Sequence, residues 1–166
     1  GKAAGAVEPL LVERHQEDKQ VYLSGTWDRR ADVFVYDYSN DTLIQAVVNL
    51  TAKRIDATTA VKNVQPPITA AERDRAVALA LADPTAGPGL RGWYQRITQR
   101  TLEKPEQLQA DALVFRADAM ADSKLGRNEC GVRRCAQLLF STAERQLIDV
   151  TVYVDLSRGV VFAVQQ

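Results

Sequence analysis

Arg29-Arg30-Ala31-Asp32-Val33-Phe34-Val35-Tyr36 and Arg133-Arg134-Cys135-Ala136-Gln137-Leu138-Leu139-Phe140 decide how this chain is read. Each opens on an arginine pair and runs into apolar residues, the second copy 104 positions after the first. Val48-Asn49-Leu50-Thr51 matches Val154-Asp155-Leu156-Ser157 at an offset of 106. The longer loop Ser141-Thr142-Ala143-Glu144-Arg145, in place of Ser39-Asn40-Asp41, accommodates the difference. Self-similarity at a near-fixed spacing is the mark of a repeated supersecondary unit.

Each copy reads as strand, turn, strand, turn, strand. Ile44, Ala46, Val48 and Leu50 alternate with Gln45, Val47 and Asn49, and Val150, Val152, Val154 and Leu156 alternate with Thr151, Tyr153 and Asp155. A period of two puts the first-named residues of each strand on one face, toward a core. Asn49 and Asp155 stand just before turns, where a short polar side chain bonds the turning backbone. Closing strands follow at about 55–60 and 160–164.

A meander with one apolar face must cover it. Pro66-Pro67-Ile68 breaks the chain, and Thr69-Ala70-Ala71-Glu72 then spells a capping box that starts a helix running to Leu81. Val77, Ala80 and Leu81 share its apolar stripe, and Asp83-Pro84 stops it. Thr85-Ala86-Gly87-Pro88-Gly89 reads as a flexible connection. Leu90, Trp93, Tyr94 and Ile97 then recur at helical spacing, predicting a second short helix. Residues 109–116 read as a strand and 117–128 as a polar loop. The stretch 10–23 reads as two strands around a charged turn at 13–20.

Twenty-one basic residues offset twenty-one acidic ones over 166 residues, and 46% of the chain is hydrophobic. That balance argues against general binding to a nucleic-acid backbone, and no apolar run reaches the length of a membrane span. With one histidine and two cysteines, little material exists for a metal site. Cys130 and Cys135 form a CxxxxC pair, compatible with a short disulfide loop in an oxidising compartment or with two reduced thiols. A two-cysteine metal site lacks further ligands nearby.

The order of these motifs resembles the small cystatin-like domains that precede the catalytic domain of copper amine oxidases. Arg29-Arg30-Ala31-Asp32-Val33, the Ala46-Val47-Val48-Asn49-Leu50 segment, the proline-started helix with Arg91-Gly92 after it, and the closing Val152-Tyr153-Val154-Asp155-Leu156 carry the likeness. The resemblance implies an α+β fold, antiparallel meanders packed by a helix, in two related units. Residues 1–62 make the first, without its opening helix, and 63–166 the second. It also implies export to the periplasm or outside the cell, although no signal peptide can be read in this chain. In that setting Cys130 and Cys135 are expected to form a disulfide.

The catalytic parts of that family do not follow. Its copper takes three histidines, and this chain has His15 alone. Val35-Tyr36-Asp37-Tyr38 is superficially similar to the quinone-forming Asn-Tyr-Asp/Glu motif, but Val35 replaces the asparagine and the tyrosines fit strand positions. His15 sits in a charged run and reads as solvated. Ser24 and Ser141 lack an activating base, and no phosphate-binding glycine loop occurs. Asn40-Asp41-Thr42 and Asn49-Leu50-Thr51 match the glycosylation sequon. Arg91, Trp93, Tyr94 and Arg96 interleave cations and aromatics, which suits an interaction surface or simply an amphipathic helix. The expectation is a non-catalytic, exported binding or assembly module with a protein partner and no cofactor. The alternative is an inhibitor or chaperone-like module acting on a hydrolase or another secreted enzyme.

Overall fold

The computed structural model describes residues 7–120, Leu125 and 128–165. The chain divides between Val64 and Gln65 into two compact units. The fold is α+β: each unit contains a four-stranded antiparallel sheet, and the second adds two helices.

In the first unit, β1 (Val7–Arg14), β2 (Arg30–Asp37), β3 (Thr42–Asn49) and β4 (Arg54–Lys62) lie in sequence order. The segment expected to hold two strands around a charged turn instead holds one strand, then α1 (Lys19–Leu23). The reason is local. The Asp18 carboxylate accepts the Gln20 N–H at 2.8 Å and caps a helical turn before a second strand can begin. Tyr36 and Tyr38 are buried and meet edge to face at 5.0 Å between ring centroids.

In the second unit, α2 (Ala70–Ala82) and α3 (Ala86–Thr98) precede a sheet of β5 (Leu108–Val114), β6 (Cys135–Thr142), β7 (Leu147–Asp155) and β8 (Val160–Gln165). The capping box forms in full: Thr69 Oγ1 accepts the Glu72 N–H at 3.1 Å, and Glu72 Oε2 accepts the Thr69 N–H at 2.8 Å. Thr69→Ala is therefore expected to lower the stability of this unit by about 1 kcal/mol, read from its denaturation midpoint.

The stretch 85–89 is not a flexible connection but the first turn of α3. Asp83 Oδ1 accepts the N–H groups of Thr85 and Ala86 at 2.9 and 2.8 Å, and Pro88 costs nothing where backbone N–H groups have no helical partner. Gly87 is there for close approach, since a Cβ at that position would come within 2.5 Å of the Leu81 carbonyl oxygen. Ala76, Val77 and Ala80 of α2 and Leu90 and Tyr94 of α3 are buried. They cover the sheet face that carries Ala136, Leu138 and Phe140 with Val150, Val152 and Val154, also buried. The opposite face holds a smaller core in which Phe115, Tyr153 and Phe162 surround the cysteines.

Among its own described residues the first unit has no pair of helices like α2 and α3. Ile44, Ala46 and Val48, expected on a core face, are only half-buried, and Leu50 is exposed. Among the described residues of that unit, the five-residue α1 is the only helix.

Candidate functional site

Both units turn their β-strands on the same set of bonds. In the second, Arg134 N–H donates to Ser157 Oγ at 3.1 Å, and Leu156 N–H donates to the Arg134 carbonyl at 2.9 Å. Asp155 Oδ1 accepts the Arg158 N–H at 2.9 Å. In the first, Arg29 N–H donates to Thr51 Oγ1 at 2.9 Å, and Leu50 N–H donates to the Arg29 carbonyl at 2.7 Å. Asn49 Oδ1 accepts the Ala52 N–H at 2.8 Å. The polar residues before the turns thus bond the turning backbone as their chemistry requires. The bonds also correct the sequence register by one residue. Arg29 occupies the place of Arg134, an offset of 105, rather than that of Arg133.

The side chains at these corners differ. Arg134 is fully buried and bridges to Glu72 in the first turn of α2, also fully buried, with Nε–Oε1 2.6 Å and Nη2–Oε2 2.8 Å. Nη1 also donates to the Pro66 carbonyl at 2.6 Å and Nη2 to that of Pro67 at 2.9 Å. One guanidinium therefore ties β6, the proline entry and the helix start together. A planar fork of five N–H groups suits that task where a lysine would not. Beside it, Cys130 and Cys135 are joined in a disulfide with Cα atoms 5.4 Å apart. Gly131, at φ +108°, turns the chain back between them.

In the first unit the next arginine, Arg30, takes the charged partners. It meets Glu17 at 2.7 Å and Asp56 at 2.8 Å, and those hydrogen-bonded carboxylates, Glu17 foremost, raise its pKa. Asp56 also meets Arg54 at 2.7 Å. Its carboxyl is held down at about 2 by Arg54, with Arg30 and Asn49 adding to the effect. A carboxyl lowered by folding stabilises the folded state above its ordinary pKa, and that contribution fades as pH falls through the folded value. For Asp56 the window runs from about pH 4 down to about pH 2. Asp56→Asn is expected to be less stable than the native chain at neutral pH, with the two denaturation midpoints converging as pH falls across that window. Parallel midpoints would show the carboxylate to be inert.

Asn49, the centre of one sequon, is fully buried and donates through Nδ2 to Asp28 and Asp56, so it cannot accept a glycan in the folded chain. Asn40 is exposed. His15, expected to be solvated, bonds Asp32 through Nδ1 at 2.8 Å and is only partly exposed. It borders a groove of about 590 Å³ with Arg14, Tyr22, Trp27 and Arg30. A second groove, about 690 Å³, runs between Arg73, Asp74 and Val77 of α2 and Glu106, Gln109 and Asp111. Among the described residues that line them, neither groove places a serine or cysteine beside a base.

Among the surface residues expected on α3, Tyr94 faces the core, its hydroxyl accepting from Gln107 Nε2 at 3.3 Å. Arg91 and Arg96 remain exposed, Arg96 stacked over the Trp93 ring at 4.5 Å. Among the described residues no group of three or more His, Cys, Asp or Glu could hold a metal ion. No described helix is long and apolar enough to cross a membrane.

No family model and no curated relative matches the sequence. Among solved structures the chain is similar to a copper-containing benzylamine oxidase from Hansenula polymorpha, at 12% identity and a TM-score of 0.56. The likeness covers 96% of this chain and 25% of that one, so the chain spans about a quarter of the oxidase's length. At that identity the comparison establishes the fold: these residues fold like part of a copper amine oxidase. The residues present do not fit that family's copper or quinone. One imidazole, already bonded to Asp32, cannot supply three ligands, and Tyr36 is packed in a strand behind Val35.

Proposed function

We propose that this chain is a non-catalytic, exported binding or assembly module of the kind that precedes the catalytic domain in copper amine oxidases. The observation that carries the reading is the fold likeness. It takes in nearly all of this chain and a quarter of the oxidase, while the chain contributes a single histidine. A domain that keeps such a scaffold without the metal ligands retains surfaces, not chemistry. The Cys130–Cys135 disulfide supports an oxidising compartment, where such bonds form and persist.

The reading is tested by incubating the purified chain with excess copper in air, removing loose metal, and measuring bound copper and visible absorbance. No stoichiometric copper and no quinone band are expected. One tightly held copper per chain together with a quinone band would overturn it.

A further inference from the structure

The corner that buries Arg134 has an open counterpart. Arg29 makes the same backbone bonds, yet its side chain is exposed and has no hydrogen-bond or ion-pair partner among the described residues. Just before β2, it heads a row that continues in Ala31, Val33 and Val35 of that strand. Across the ladder Val48, Ala46 and Ile44 face the last three of these. Val12 of β1 pairs with Val33, and Ile55 of β4 pairs with Val48, so the aliphatic face continues to both edges. Val12 is 61% exposed and Ile55 63%. Paired through the matching turns, this face corresponds to the Ala136, Leu138, Val152 and Val154 face of the second unit, which α2 covers. The opposite face of the first sheet is mixed, with Glu13, Asp32, Phe34, Gln45 and Thr59 beside Tyr36 and Leu43, which are already fully buried.

We propose that this face of the first unit binds an amphipathic helix of a partner protein. That helix carries small apolar residues along one side and a carboxylate in its first turn, which Arg29 receives. The second unit displays the required complement: alanines and a valine on the sheet, and Glu72 on the arginine. The charges agree as well, since Arg14 lies opposite Ala31 beside Arg29, making the receiving end of the face basic. The proposal rests on the non-catalytic reading and narrows it to one class of ligand.

The test uses the full chain and a fluorescent peptide of residues 65–84, stapled between positions 74 and 78 on its solvent side so that it is helical when free. Saturable binding at micromolar peptide is expected by polarisation. Arg29→Glu should weaken it about tenfold, and a peptide carrying Glu72→Arg should recover most of that loss on the Arg29→Glu chain. Ile44→Lys should abolish binding. Should that variant misfold, Ile55→Lys tests the same face at a side chain with little packing to lose. Gln45→Lys on the opposite face should leave binding unchanged.

Absence of saturable binding, or binding indifferent to Arg29 and Ile55, would overturn the proposal. So would concentration-dependent dimerisation removed by Ile55→Lys, because a second copy would then be the occupant. None of these results touches the copper measurement, so the non-catalytic reading can stand when this one falls.

Discussion

Glu72→Ala is expected to destabilise the second unit by about 3–5 kcal/mol, the loss typical when one member of a buried ion pair is removed. Three effects add. The Arg134 guanidinium remains at zero exposure with a full charge, keeping the Gln65 amide oxygen and the Pro66 and Pro67 carbonyls but losing the carboxylate that balanced it. The Thr69 N–H loses the carboxylate that closes the capping box. The first turn of α2 loses its negative charge at the positive end of the helix dipole. Arg134→Met alone is expected to cost less. The carboxylate it leaves keeps the Thr69 N–H and the helix N-terminus as partners, and it can also take up a proton.

The double variant Glu72→Leu with Arg134→Met should recover most of the loss, because replacing both partners by apolar groups of similar size removes the desolvation penalty as well as the attraction. The coupling between the two sites, read as the excess over additivity, is therefore the decisive number. A chain of two units need not unfold in one step, so hydrogen exchange at the α2 amides is the proper readout, with denaturant midpoints beside it. If Glu72→Ala cost under about 1 kcal/mol at those amides, the pair would be a passenger rather than the clamp.

That clamp was not legible in the sequence, and the reason is physical. Thr69 and Glu72 declare themselves because a capping box is a local pattern whose partners are three residues apart. Arg134 and Glu72 lie 62 residues apart, and each taken alone looks like an ordinary charged surface residue. Only the packing of α2 on β6 makes them one group. Residue type alone misplaces the repeat register for a related reason. Matching Arg29-Arg30 to Arg133-Arg134 by residue type gives an offset of 104, while the backbone bonds pair Arg29 with Arg134.

The strands carry part of the difference. Leu139 faces Thr151 while Phe140 faces Ile148, so β7 has surplus residues in the middle of its ladder that no period-two pattern announces. Conversely, the alternation of Val150, Val152 and Val154 was readable, because burial on one face enforces it. The same alternation at Ile44, Ala46 and Val48 predicted a core that the first unit does not build by itself. Periodicity reports which face is apolar and says nothing about what lies over it. His15 shows the same limit, since its charged neighbours in sequence concealed an aspartate 17 residues away.

Removal of the disulfide is the second large effect expected. Cys130→Ser with Cys135→Ser should destabilise the second unit by about 2 kcal/mol through the greater freedom of the unfolded chain, since the closed loop is short. A further loss follows from setting two hydroxyls among Phe115, Ala117, Tyr153 and Phe162, where sulfur packs as an apolar atom. Cys130→Ala with Cys135→Ala isolates the first contribution, so the difference between the two double variants measures the second.

The loss should be local as well as global. The Cys130 carbonyl accepts the Ala117 N–H at 2.9 Å, and the Cys135 carbonyl accepts the Phe115 N–H at 3.0 Å, so the bridge holds the segment after β5 against the start of β6. Exchange should therefore rise first at Phe115 and Ala117, while Val152 and Val154, deep under the helices, should respond only to global unfolding. The compartment argument is checked on the native protein by alkylating it denatured without reductant and weighing it. No added alkyl group is the expected result. Two added groups, in material taken from its own compartment, would mean that the thiols are free there and that export loses its support in the chain itself.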